Sequence, residues 1–164
     1  MSNAVKSVEA RPITISKVHL WRREIGASPA ALAATLQPLA DAGMRLRAFM
    51  RYRHIRDEQR AVVEVCPHES EDEDRCASVM RAAGFKVSHI PTLLVEGDET
   101  PEVEYAIAKI VTEQGLNMVF CVTQTVNEKR VALAGFVSDA DAEKAALALL
   151  LLEIEVPSME QPKP

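Results

Sequence analysis

The chain is 164 residues long, with a formal net charge of −5 and an apolar fraction of 48%. Those values exclude a disordered chain, and without an excess of cations they speak against general binding to a nucleic-acid backbone. Three cysteines without paired spacing fit a reducing, cytoplasmic compartment better than a disulfide framework, and the longest strongly apolar stretch, Ala145 to Leu152, is too short to cross a bilayer.

Residues 1–12 carry no periodicity and read as a disordered tail. Ile13 to Arg22 is β-rich, but its alternation changes phase near Lys17, which a bulge or a break into two strands would explain. Ser28-Pro29 opens a helical pattern with Leu32, Leu36 and Leu39 on one face, and Ala42-Gly43 closes it. Pro38 lies inside that helix, where it deletes a hydrogen bond. Met44 to His54 alternates, Arg56-Asp57-Glu58 makes a polar hairpin, and Ala61 to Cys66 returns as an apolar strand. The acids from Glu69 to Asp74 suit the positive end of a second helix, striped by Cys76, Val79, Met80 and Ala83 and ended by Gly84. Phe85 to His89 is a short strand that can run through Pro91 into Thr92 to Val95.

From there the punctuation repeats, seventy-two residues on. Thr100-Pro101 opens a helix that buries Val103, Ile107, Ile110 and Val111, Gln114-Gly115 closes it, and strands follow at Leu116 to Val126 and Arg130 to Val137. A serine or threonine hydroxyl before proline caps a helix start, and glycine supplies the left-handed turn that ends it. Few side chains are shared, yet no insertion separates Pro29 from Met50 in the two copies, so one unit is present twice. Ser138 caps a last helix through about Leu152, Glu153 to Val156 alternates as a closing edge strand, and residues 157–164 form a second disordered tail.

Each unit reads strand, helix, strand, strand, helix, strand. That order predicts an α+β chain of two tandem ferredoxin-like βαββαβ units, residues 13–89 and 90–156, each an antiparallel sheet with both helices on one face.

At this level the chain resembles tandem ACT-domain proteins, small-molecule-binding modules of amino-acid metabolism. The family signature is an acidic residue, any residue, Pro-Gly, a helix, and then Gly-x-Asn-hydrophobic. The matching stretches are Ala27-Ser28-Pro29-Ala30 with Gly43-Met44-Arg45-Leu46, and Glu99-Thr100-Pro101-Glu102 with Gly115-Leu116-Asn117-Met118. The resemblance implies a non-enzymatic regulatory or sensor protein that binds an amino acid and assembles as a homo-oligomer, a dimer. It implies a ligand between a strand-to-helix turn and a neighbouring unit's strand, lined by Glu24, Gly26, Ser28, Ala30 and Arg45 in one copy and by Asp98, Thr100 and Asn117 in the other. Ala30 and Glu102 replace the family glycine that lets a ligand approach the helix N-terminus, and Glu102 sets an acid in that positive field. The first turn is therefore expected to hold a carboxylate better than the second.

Other clusters read more plainly. Arg45, Arg47, Arg51 and Arg53 alternate along one strand; if the other face packs on the helices, this row lies on an open sheet surface, the arrangement of one RNA-binding module. A single Phe49 among them is a poor stacking platform, so a solvated or subunit-facing row is the expectation, and nucleic-acid binding is not. Cys66, His68, Glu69 and Cys76 lack the paired spacing of a structural zinc site. No phosphate loop, nucleophile elbow or dinucleotide fingerprint occurs, so neither a cofactor nor an enzyme is expected. A ligand-free protein–protein interaction module is the alternative to the sensor.

Overall fold

A computed structural model of the chain describes residues 13–54, 56–98, 102–126 and 129–152. In order these form β1 (Thr14–Val18), β2 (Trp21–Gly26), α1 (Pro29–Asp41), β3 (Leu46–His54), β4 (Asp57–Pro67), α2 (Glu73–Ala82), β5 (Lys86–Val87), β6 (Thr92–Asp98), α3 (Glu102–Glu113), β7 (Met118–Val126), β8 (Lys129–Phe136) and α4 (Asp139–Leu152). The strands make two four-stranded sheets, β3-β4-β2-β5 and β1-β6-β8-β7. The architecture is α+β, two ferredoxin-like antiparallel sheets with two helices each.

The phase change at Lys17 marks two strands and not one bulged strand. β2 opens the first unit, whereas β1 joins the sheet of the second, beside β6. The compact units are accordingly Val18–His89 and a second one that joins the chain before Val18 to the chain from Ile90 onward. The expected boundary of 13–89 is thus too early by one strand, and β5 and β6 belong to different sheets and do not form one continuous strand. The cause is topological. In the second unit β1 lies beside β6, the place that the fold's fourth strand would take after α4. The expected strand at Glu153 to Val156 lies outside the described residues, as do both expected tails.

In the first unit Trp21, Ile25, Ala61, Val63 and Val65 meet Leu39, Cys76, Met80 and Phe85 in one buried cluster. In the second, Leu93, Val95, Ala132, Ala134 and Phe136 meet Ile107, Ile110, Ala142, Ala145 and Leu149. Each large apolar side chain so buried contributes about 1.5–3 kcal/mol. Helix ends repeat in detail. Gly43 and Gly115 stand at φ 64° and 60°, and the N–H groups of Met44 and Leu116 return to the carbonyls of Leu39 and Val111 at 2.9 and 3.0 Å. Met44 and Leu116 are then buried against the helices they close.

β3 and β7, at one edge of each sheet, carry the same irregularity: register slips between Leu46 and Ala48 in β3, and between Met118 and Phe120 in β7. After the slip, Phe49, Arg51 and Arg53 lie opposite Val65, Val63 and Ala61, on the helix-bearing side of the sheet. Arg51 and Arg53 therefore do not line the face opposite the helices. Met44 and Leu46 begin on the helix side too, and the slip carries Ala48, Met50 and Tyr52 away from it.

Phe120 faces Gly135 across β7 and β8, and a Cβ there would sit 2.7 and 2.8 Å from its Cζ and Cδ1. Gly135→Ala is expected to destabilise the protein by about 1–3 kcal/mol through the displaced ring. Gly97→Ala, whose Cβ would meet Ile13 at an ordinary 3.5 Å, is expected to be nearly neutral. Thermal melting of the two variants checks the contrast.

Candidate ligand-binding site

Two residues, Ala27 and Ser28, join β2 to α1. Ser28 is extended at φ −65°, ψ 148°; its Oγ accepts from Ala31 N–H at 3.3 Å, and Pro29 follows at the first helical position. No acid stands in the first turn of α1, so its positive end is uncompensated from within the helix. Gly26 ends β2 opposite Arg60. A second slip, between Arg53 and His54, displaces Glu58 to Arg60 and brings the Gln59 carbonyl to Ala27 N–H at 2.9 Å.

Two cations reach this turn that the linear motif does not mark. Arg51 on β3 donates from Nη2 to the Ala27 carbonyl at 2.7 Å, and its Nε is buried without a hydrogen-bond partner. Arg60 pairs with Glu24. Glu24 is also 3.8 Å from Arg22 Nη2, and Arg22 Nη1 lies 3.7 Å from Glu64 and 3.4 Å from the Tyr52 hydroxyl. Glu64 is fully buried, accepts from Ser88 Oγ at 3.0 Å on Oε1, and leaves Oε2 without a partner. Burial and the Glu64 charge together push the Tyr52 phenol above its ordinary value.

Glu24, Gly26, Ser28 and Ala30 thus share one turn, but Arg45 does not join them within its own unit. Thirteen helical residues intervene, about 20 Å of helix axis at 1.5 Å per residue. Its guanidinium is engaged there: Nε pairs with Glu71 at 3.3 Å, and Nη2 donates to Ser70 Oγ. The Glu71 carboxylate, only 8% exposed, also accepts from Arg45 N–H at 3.1 Å and pairs with Arg75 at 2.9 Å. The Arg45 backbone N–H above all, then its side chain and Arg75, hold the Glu71 carboxyl below its usual range. Arg47 pairs with Glu69 at 3.0 Å.

In the second copy Gly97 and Asp98 end β6 opposite Arg130 and Lys129. Arg130 pairs with Glu104 of α3 at 3.2 Å, so a cation reaches the start of this helix as well. Thr100 lies outside the described residues, and Asn117 precedes β7 with its carbonyl accepting from Val137 N–H at 2.9 Å. The Arg45 carbonyl does the same for His68 N–H in the first copy. Arg51, Arg60 and Arg130 reach these turns only through cross-strand register, for which the linear sequence holds no local signal.

No family model matches the sequence, and no curated protein sequence matches it. Solved structures do. A protein of Bacteroides thetaiotaomicron is similar at TM-score 0.68 and 10% identity, covering 85% of this chain and 90% of its own. The regulatory subunit of aspartate kinase from Thermus thermophilus, in its ligand-free form, is similar at TM-score 0.56 and 17% identity, covering 87% and 98%. That from Thermus flavus gives 0.55 and 18%, covering 87% and 97%. The fold is the tandem ACT-type fold of such regulatory subunits.

Because the folded Glu71 carboxyl is held low, its contribution to stability is present above the ordinary glutamate pKa, about 4.3, and is lost as pH falls through the folded value. Glu71→Gln is expected to lower the melting temperature at pH 7, with the gap to the unmodified protein closing toward pH 3. Melting curves across that range check it.

Proposed function

We propose that the chain is a non-enzymatic regulatory module of the cytoplasm that binds a small ligand, an amino acid, at the β2–α1 turn and acts through ligand-linked assembly. The observation that carries this reading is the turn itself. A capped helix N-terminus without a first-turn acid, with Arg60 opposite Gly26, presents free N–H groups and a cation to a carboxylate. The fold shared with regulatory subunits of aspartate kinase supports the class of role. Three free cysteines suit the reducing compartment.

The assembly is a dimer. β7 is a sheet edge whose nine residues, Met118–Val126, include no charge, with Val119 and Val122 exposed. An uncharged edge of that length is a template for pairing with a second chain. Arg45 does not reach the turn of its own unit, which is a helix length away. The same edge favours the second reading, a ligand-free interaction module. Arginines engaged in ion pairs and a turn contact on the helix-bearing side of their sheet disfavour an RNA-binding face.

A thermal-shift screen of the twenty amino acids, with a concentration series for each hit, tests the sensor. A ligand specific for the native state stabilises by about 2.7 kcal/mol at one hundred times its Kd. The sensor reading requires at least one concentration-dependent rise; dimerisation with no response to any amino acid leaves the interaction module instead. At the second turn, Glu102→Gly is expected to raise carboxylate affinity by roughly fivefold, the worth of one charge at a helix end. Titration calorimetry reads that change, and an unaltered affinity would show that Glu102 does not govern the turn.

A further inference from the structure

We propose that the outward face of α4 takes a second copy of this chain, helix against helix and antiparallel, so that the dimer formed through β7 is one step of a larger assembly. The contact needs no ligand at the β2–α1 turn.

The character of α4 changes halfway along. Asp139, Ala140, Glu143 and Lys144 are exposed over its first half, as on a solvated helix face. From Ala145 to Leu152 there is no charge, and Leu147, Leu150 and Leu151 continue the same outward stripe at 63%, 46% and 67% exposure. The core does not ask for them, because Ala142, Ala145 and Leu149 already face it. The first unit supplies the control. In α2 the buried Cys76 and Met80 have the spacing of Ala145 and Leu149, and counted from them the exposed Ser78, Arg81 and Ala82 hold the places of the three leucines. One scaffold thus carries a hydrated face in one unit and a leucine face in the other. Exposed leucines gathered on one stripe mark a surface that another body covers.

Charge says which body. The last four carbonyls of a helix have no partner within it and carry partial negative charge. α4 has no basic residue in its last turn to answer them, and its own outward cation, Lys144, stands on the far side of the leucines. Its first turn holds Asp139 and Asp141, the former paired with Lys17 at 2.6 Å. An antiparallel second copy removes the mismatch at the last turn. Laying Leu147 against the second copy's Leu151, and Leu151 against the second copy's Leu147, covers the leucines of both. It also brings each Lys144 about 4.5 Å along the axis past the facing Leu151, three residues at 1.5 Å each, where the bare carbonyls end. Apolar surface and charge are then satisfied by the same operation in both directions, so the face is complementary to itself.

Sedimentation equilibrium of the full chain across the micromolar range, with melting curves at the lowest concentration, tests the proposal. The unmodified chain is expected to pass beyond a dimer, and Leu147→Glu to stop at the dimer with an unchanged melting temperature. Val122→Lys puts a charge on the β7 edge and isolates the α4 contact; this variant is expected to remain in reversible monomer–dimer equilibrium. Adding Leu147→Glu to it is expected to raise the dimer's Kd by about tenfold or more, since a carboxylate is then buried among leucines without a partner. Adding Lys144→Glu instead is expected to raise it by roughly fivefold, an anion now facing the negative end of a helix. A Val122→Lys protein that stays monomeric throughout, or a dimer indifferent to Leu147→Glu, overturns the proposal. Indifference to Lys144→Glu rejects the antiparallel arrangement and the proposal with it. A Leu147→Glu chain that melts several degrees lower as a monomer means that the same chain, residues 153–164 included, covers the face, which overturns it too. Equal masses for the unmodified chain and Val122→Lys count against β7 pairing alone, and Leu147→Glu still decides the α4 contact.

Discussion

One register slip at the head of β3, matched in β7, decides where the chemistry of this fold lies. Side chains on a strand alternate, so a single displaced residue sends everything after it to the opposite face. Between Leu46 and Ala48 that displacement turns Arg51 and Arg53 toward the side that carries α1 and α2. Without it Arg51 would point away from the β2–α1 turn, and the Ala27 carbonyl would lose the donor that now holds it at 2.7 Å. The same slip at Met118 to Phe120 faces Phe120 with Gly135, the one position in that pairing with no Cβ to meet the ring.

Much of the fold was legible because its signals are local. Ser28-Pro29 and Gly43 are backbone requirements: a hydroxyl for an orphan N–H, a residue at ease with φ 64°. They survive in both copies while side chains drift, since little but glycine fits the closing turn without strain. The split between β1 and β2 was only half legible. The phase change near Lys17 is in the sequence, but the partner of β1 is β6, far along the chain, and no pattern within five residues says which sheet a strand will join. The candidate site divides the same way. Glu24, Gly26, Ser28 and Ala30 are neighbours in sequence and so in space, whereas Arg51 and Arg60 arrive from two other strands. Arg45 illustrates the converse, a residue tied to the turn by motif and removed from it by thirteen residues of helix.

The two copies share a scaffold and differ in charge, and the difference sits where the scaffold is indifferent. Caps and closing glycines are fixed by hydrogen bonds that every copy of the unit must make. The first turn of a helix tolerates many side chains, and there α1 has no acid while α3 begins with Glu102 and carries Glu104 against Arg130. In α3 the positive end of the helix is answered from within the chain; in α1 it is left to something else. The two copies thus share their closing glycines and differ in the charges at the start of α1 and α3.

Ion pairs at such a turn serve better as reporters than as struts. Glu24 and Arg60 are both partly exposed, so water competes for each and their union adds little to stability. Glu64 is the opposite case: with no solvent to share the charge, the distance of a single guanidinium matters. Arg22 belongs to both regimes at once, since it spans from the exposed carboxylate to the buried one. A residue so placed ties the partly exposed end of β2 to β4, which is buried from Ala61 to Cys66.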